Sequence, residues 1–346
     1  MTPTSQYEKR ARVILPVLTI LLIASLIISA GLGAVTLHPA DILRAIWNHF
    51  GGHAVVPDWV QNIVWDQRLP RIALGLLVGA SLAVAGTLMQ SLFHNPMADP
   101  YIVGVSSGAS VGAVIAMALG VQTAFFGLNL IAICAFVGGL AVTFLVYTLA
   151  RRGGRVPVST LLLTGIAIGG LMQALTTLIM IQQQNSDIRR VMGWLMGSLA
   201  YRDWHEVLSL LPYTVVGTAI ALAMRRDLNI LALGDETAHH LGVNLERAKL
   251  LMLLVSSLLA AAAVSVSGVI AFVGLIVPHL MRLLIGPDHR ILLPACMLSG
   301  GLLLVWSDVL ARTISPGQEI PIGIITSVLG CLFFLYLLNR REGKVF

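Results

Sequence analysis

Long apolar runs alternate with short polar breaks from one end of the chain to the other. A helix needs about 20 mostly apolar residues to cross about 30 Å of hydrocarbon. Ten runs approach that length: 13–35, 69–92, 101–119, 125–149, 157–181, 207–224, 248–267, 270–286, 291–311 and 322–338. The pattern predicts an all-α polytopic membrane protein of about ten transmembrane helices. Residues 1–346 read as a single transmembrane domain, because all the spans share one lipid-facing surface. Small residues recur every fourth position at Gly75, Gly79, Ala83 and Thr87, and again at Gly104, Gly108, Gly112, Ala116 and Gly120. Such stripes let helix backbones approach closely in lipid.

Composition agrees with the pattern. Mean hydropathy is +0.88 and only 11% of residues are charged, outside the range of soluble globular domains. The net charge of +6 does not point to nucleic acid, because the arginines sit in short clusters between apolar runs. With the N-terminus inside, the inner segments carry 15 of the Lys and Arg residues and the outer segments 7. That asymmetry predicts both termini in the cytoplasm. The first apolar run exceeds the about 7–15 residues of a signal-peptide core, so it reads as an uncleaved first helix.

The titratable residues exclude more chemistry than they suggest. No lysine sits in a P-loop, so any ATP is hydrolysed by a partner. No carboxylate lies in the middle of a span, where a proton-coupled carrier would hold one. Asp308 and Arg312 are i,i+4 and read as a local ion pair. Cys134, Cys296 and Cys331 each stand alone in an apolar run and read as buried thiols. The nine histidines show no metal-ligand spacing, so no metal site is expected. His279, after Pro278, reads as a packing or capping residue.

Three polar segments remain. The inner break at about 226–248 has an apolar patch at Leu228, Ile230, Leu231 and Leu233, then Gly234. A short helix from Asp235 to Leu241 follows, with Asp235 and Glu236 at its N-terminus and Gly242 as C-cap. Exposed leucines there make a docking surface; a purely structural loop on the membrane is the equal alternative. On the outer side, Arg68 and Arg71 flank the second span, and Arg189, Arg190 and Arg202 lie between the fifth and sixth with Trp194 and Trp204. Snorkelling arginines and an aromatic belt explain these; a basic patch for an acidic partner or anionic cargo is the competing reading. The third segment, HNPMADPYIVGVSSGAS (94–110), lies on the inner side between the second and third spans. Pro96 and Pro100 break the helix, and Asn95 and Asp99 are placed to cap the exposed ends. Ser106, Ser107 and Ser110 either line a path or bond back to their own helix.

Together, "RLPRIALGLLVGASLAVAGTLMQSLFHNPMADPYIVGVSSGAS", "LNILALGDETAHHLGVNL", "GVIAFVGLIVPHLMRLLIGPDHRILLPA", "SDVLART" and "EIPIGIITSVLGCLFFLYLL" resemble the permease subunits of type II ABC importers for iron siderophores, haem and cobalamin. The resemblance implies a homodimer with its path along the subunit interface, two ATP-binding subunits and a periplasmic substrate-binding protein. It assigns binding-protein docking to Arg68, Arg71 and Arg312, and ATPase coupling to Leu228, Leu231, Leu233, Gly234, Asp235, Glu236, Leu241 and Gly242. It makes Asn95 and Met97 a cytoplasmic gate, with a second gate at Val158 and Ser159, where cobalamin permeases carry a hydroxyl in place of Val158. No cofactor is expected on this chain, with ATP and Mg held by the partner subunit. The expected cargo is an iron chelate, a ferric siderophore or haem. A cobalamin permease of the same family, or less closely an ATPase-independent secondary transporter, is the alternative.

Overall fold

A computed structural model describes residues 3–33, 35–53, 56–120, 124–125, 128–151, 153, 156–183, 185–315 and 319–341. The predicted positive-inside residues Arg152, Arg155 and Lys344 lie outside them. The chain opens with α1 (Pro3–Gly31) and α2 (Pro39–His49). Then α3 (Asp58–Asn62) continues through a π-helical stretch, Ile63–Arg68, into α4 (Leu69–Leu92). A 3-10 turn at Pro100–Val103 precedes α5 (Val105–Ala118). A two-stranded antiparallel hairpin, in which Ala124 pairs with Asn129 and Phe125 with Leu128, leads into α6 (Leu130–Ala150). There follow α7 (Val158–Ile181), α8 (Asn185–Leu195), α9 (Trp204–Ala223), α10 (Arg225–Leu231) and α11 (Asp235–His240). The chain closes with α12 (Leu245–Ser267), α13 (Val273–Ile285), α14 (His289–Thr313) and α15 (Ile322–Arg341).

Among the described residues, seven helices are long and apolar enough to cross a bilayer, and three shorter apolar helices accompany them. All ten coincide with predicted runs. Several starts shift by a few residues, and α1 begins ten residues early at Pro3; two shifts have a visible cause. Gly104, at φ +85°, separates the 3-10 turn from α5, so that helix begins at 105 and not 101. The hairpin occupies the first residues of the predicted 125–149 run, and Asn129 caps α6 by accepting the Ile131 N–H at 3.1 Å. Short polar caps recur elsewhere. Asp203, Asn244 and Asp288 start α9, α12 and α14 in the same way.

Helices α4 and α12 form the hub, while α1 and α7 lie at the periphery with most side chains facing outward. Lipid is as apolar as leucine, so close packing and polar contacts hold the bundle rather than hydrophobic burial. The predicted stripes supply the packing. A Cβ on Gly79 would lie 2.2 Å from the Gly300 carbonyl oxygen, and one on Gly108 2.4 Å from that of Gly138. These contacts bring α4 against α14 and α5 against α6. Buried hydroxyls add cross-links: Ser81 Oγ meets Thr214 Oγ1 at 2.8 Å, and Ser256 Oγ donates to the Ala85 carbonyl at 3.0 Å. Each is worth about 0.6–2 kcal/mol in a membrane bundle.

Three expectations about single residues are now decided. Ser107 and Ser110 donate back to Gly104 and Ser106 carbonyls of their own turn, at 3.0 and 2.8 Å. His279 is buried against the Phe333 ring, 6.0 Å between centroids, and is a packing residue. Of the three cysteines expected to be buried, Cys296 is buried, Cys134 partly so, and Cys331 faces outward from α15. On the outer face of a bundle helix an apolar run is no signal of burial inside the protein.

Candidate functional site

Helix α4 carries a candidate site at each end. At its N-terminal end, three helix termini converge. The last carbonyls of α1 have no partner inside their own helix. Arg68, buried, donates to the Ala30 and Val35 carbonyls. Arg312, from the last turn of α14, donates to Leu32 O at 2.8 Å, Ser29 O at 2.9 Å and Ser29 Oγ at 2.7 Å. These two arginines therefore cap α1. Arg71 reaches elsewhere: its Nε lies 2.8 and 3.1 Å from the Asp308 carboxylate oxygens, and its Nη1 2.9 Å from Glu319 Oε1. Arg312 Nε lies 3.3 Å from Asp308. The predicted Asp308–Arg312 pair is present, but Arg71 is the closer partner of Asp308.

The three docking candidates are thus brought together, with guanidinium groups largely engaged inside the protein. A cavity of about 360 Å³ opens over Arg68, Arg71, Arg312 and Glu319, with fully exposed Tyr201 at its rim. Glu319 was not singled out from the sequence. Its carboxylate is half-exposed. A neighbouring cavity of about 530 Å³ is lined by Arg190, Trp194, Tyr201 and Arg202. Trp204 is not a simple belt residue, since its indole N–H donates to the Trp65 carbonyl at 3.0 Å.

At the other end of α4 lie the predicted coupling and gate residues. Leu228 and Leu231 are fully buried. This corrects the exposed patch expected there: α10 turns both leucines into the bundle, where they anchor it. Leu233 and Leu241 are 64% and 57% exposed and flank α11 on either side. Gly234 (φ +103°) opens α11 and Gly242 (φ +84°) closes it. At that end the Val243 N–H reaches back to the Ala238 carbonyl at 3.0 Å, as left-handed C-caps do. Glu236 is exposed, while Asp235 pairs with Lys249.

A groove of about 940 Å³ runs between the start of α7 and the α11–α12 corner, lined by Val158, Ser159, Asp235, Glu236, His239 and Glu246 among others. The second predicted gate and the coupling helix therefore share one groove. Asn95 and Met97 lie in the tight turn after α4. Asn95 Oδ1 accepts the Met97 N–H at 2.9 Å, and His94 holds a left-handed φ of +48°. Val158 shares a narrow cleft with Leu92, just before that turn. Asp99 caps the following 3-10 turn through the Tyr101 N–H at 2.8 Å, and burial pushes its carboxyl up to about 6. Among the described residues no group of three His, Cys, Asp or Glu side chains converges as a metal site would.

Comparison with known proteins gives a consistent result. The FecCD transport family matches residues 21–340. The cobalamin import system permease protein BtuC of Halobacterium salinarum is 50% identical over 84% of this chain and 76% of its own length. The hemin transport system permease protein HmuU of Yersinia pestis is 42% identical over 96% of this chain and 97% of its own. A solved inward-facing structure of a metal-chelate type ABC transporter superposes with a TM-score of 0.82 at 32% identity, covering 94% of this chain and 99% of that one.

Proposed function

The chain belongs to the FecCD transport family and is a multi-pass permease of the ABC importer type; on that premise we propose that it passes an iron chelate, a ferric siderophore or haem, from a periplasmic binding protein to the cytoplasm. Separate ATP-binding subunits, two per homodimer, bind ATP and Mg and hydrolyse the nucleotide, while this chain binds no cofactor. Both termini lie in the cytoplasm, as the arginine asymmetry favours, and the membrane is the cell inner membrane, as a periplasmic binding protein on its outer side requires.

The observation that carries this reading is the placement of two unlike surfaces at opposite ends of one buried helix. The 24 residues of α4 span about 36 Å at 1.5 Å per residue. Its N-terminal end opens into a cavity among three guanidinium groups and two carboxylates, one positive charge in excess. An acidic binding protein suits that end, and complementary charge sets its register and on-rate. The C-terminal end offers Leu233 and Leu241 beside a wide groove, which suits an ATPase surface. Asn95, Met97, Val158 and Ser159 close the path beside it. The outward apolar face of α7 is offered to a second copy.

Cobalamin as cargo is the second reading, favoured by the 50% identity to a cobalamin permease. Competition decides between them. The complete transporter, reconstituted in vesicles with its binding protein and ATPase, is offered labelled haem, a labelled ferric siderophore or labelled cobalamin, each alone and against an excess of the others. Uptake of haem or siderophore that cobalamin does not suppress is expected. Uptake of cobalamin alone would overturn the iron-chelate reading.

A further inference from the structure

Two hydrogen-bonded links join the short helix α10 to the end of α4, and neither belongs to the surfaces described so far. The first runs through His289, the first residue of α14, which is 2% exposed. Its Nε2 lies 2.9 Å from Ser91 Oγ on the last turn of α4, and its Nδ1 lies 2.8 Å from Asn229 Oδ1 on α10. Asn229 is held from both sides. Its Oδ1 also accepts the His289 backbone N–H at 2.9 Å, and its Nδ2 donates to Asp288 Oδ1 at 2.7 Å.

These contacts fix the donors. Asn229 Oδ1 only accepts, so His289 Nδ1 carries the proton and donates to it. Nε2 of the neutral ring is then the acceptor. Ser91 has one proton and two acceptors in reach, the Thr87 carbonyl at 3.0 Å and the imidazole Nε2 at 2.9 Å, and only donation to the imidazole leaves no ring nitrogen unpaired. One tautomer thus satisfies every group from Ser91 to Asp288. The second link is shorter. His94 Nε2 donates to the Leu231 carbonyl, the last residue of α10, at 3.0 Å. Leu231 and Leu228 seat α10 in the core, but apolar side chains alone let a helix slide or rotate. Directed hydrogen bonds fix its register against α4.

Resting on the permease reading above, we propose that this pair of links carries displacement of α10 to the turn Asn95–Met97, with His289 as the positioning residue. Leu233, which faces the ATPase in that reading, follows α10 by two residues. Asn95 follows Ser91 by four. A push on the exposed loop therefore reaches the turn through Asn229, His289 and Ser91, and directly through His94.

The test uses the complete transporter in vesicles, with labelled haem (or labelled cobalamin, if competition selects it) and phosphate release measured in the same sample. The variants are Ser91→Ala, His289→Gln, which keeps a polar group toward Ser91 and loses Asn229, and the pair combined. Cargo moved per ATP hydrolysed is expected to fall about fivefold or more in each single variant, the low end of a coupling energy between sites. Co-purification of the ATPase is expected to stay native in Ser91→Ala, with the melting temperature lowered only by what one buried hydrogen bond is worth. The double variant should be no worse than the poorer single one, because both break the same link. An unchanged cargo-to-ATP ratio in both singles would overturn the proposal, as would losses that multiply or that come with loss of ATPase co-purification. Uptake by the native chain with no ATPase present would instead remove the permease reading, and this proposal with it.

Discussion

Leu231 and Leu233 are two residues apart, and the fold gives them opposite roles. Leu231 is 1% exposed and Leu233 64%. Truncating a fully buried leucine to alanine costs about 2–5 kcal/mol, whereas an exposed substitution stays within about 0.5 kcal/mol. Docking reverses the ranking. Burying a leucine fully is worth about 1.5–3 kcal/mol. Scaled by the exposed fractions of Leu233 and Leu241, 64% and 57%, the pair offers about 2–3.5 kcal/mol to a partner that covers both. At about 1.4 kcal/mol per tenfold, that is roughly 30- to 300-fold in affinity. The assay pairs thermal unfolding of the permease alone with titration of the purified ATPase subunit. Leu231→Ala is expected to lower the melting temperature. Leu233→Ser with Leu241→Ser is expected to leave it unchanged and weaken ATPase binding toward that range. Native ATPase affinity in the double serine variant would refute the reasoning, as would a Leu231→Ala protein with native stability and impaired docking.

Asp308→Asn removes the carboxylate that lies between Arg71 and Arg312, with 4% of its side chain exposed. The two partly buried guanidinium groups keep Glu319 and the α1 carbonyls, so the loss is expected at or below the about 3–5 kcal/mol of a fully broken buried pair, read as a lower denaturation midpoint. Glu319→Gln acts on a carboxylate 45% exposed and changes stability by about 1 kcal/mol or less. It is expected to speed association of an acidic binding protein at low salt, and an effect that persists at high salt would contradict the electrostatic role. Asp99 has its carboxyl raised to about 6, so the folded state binds a proton the unfolded chain has lost. Native stability should therefore fall as pH rises from about 4 to 6 and level off above. Asp99→Asn should lack that fall, with its advantage over the native protein largest above about pH 7; parallel pH profiles for the two proteins would refute the assignment.

The helices were legible because lipid sets their length and excludes charge from their middle. All ten apolar runs became helices, and the stripe through Gly79 does meet α14. The reading was weaker where contact depends on a distant element. Nothing local marks Arg71, 237 positions from Asp308, as its nearest cation, or Glu319 as the second acceptor. The amphipathic helix α2 buries Ile42 and Ala45 and leaves Leu43 and Trp47 exposed; it is too short and too polar for a criterion based on long apolar runs to find. Leu228 and Leu231 were misplaced for a related reason. In a polar break, one run of leucines reads alike whether it faces a partner or the bundle, and only the turn of α10 beside α14 decides. The links through Ser91, His289 and Asn229 join three separate helices, and no spacing rule brings them together.

ATP-dependent uptake tests the central claim most directly. The chain is reconstituted in vesicles with the loaded binding protein outside, and the ATPase subunits with ATP and Mg inside. The account predicts accumulation of cargo that requires both partners and is lost with Leu233→Ser and Leu241→Ser. Accumulation by vesicles holding this chain alone would contradict it.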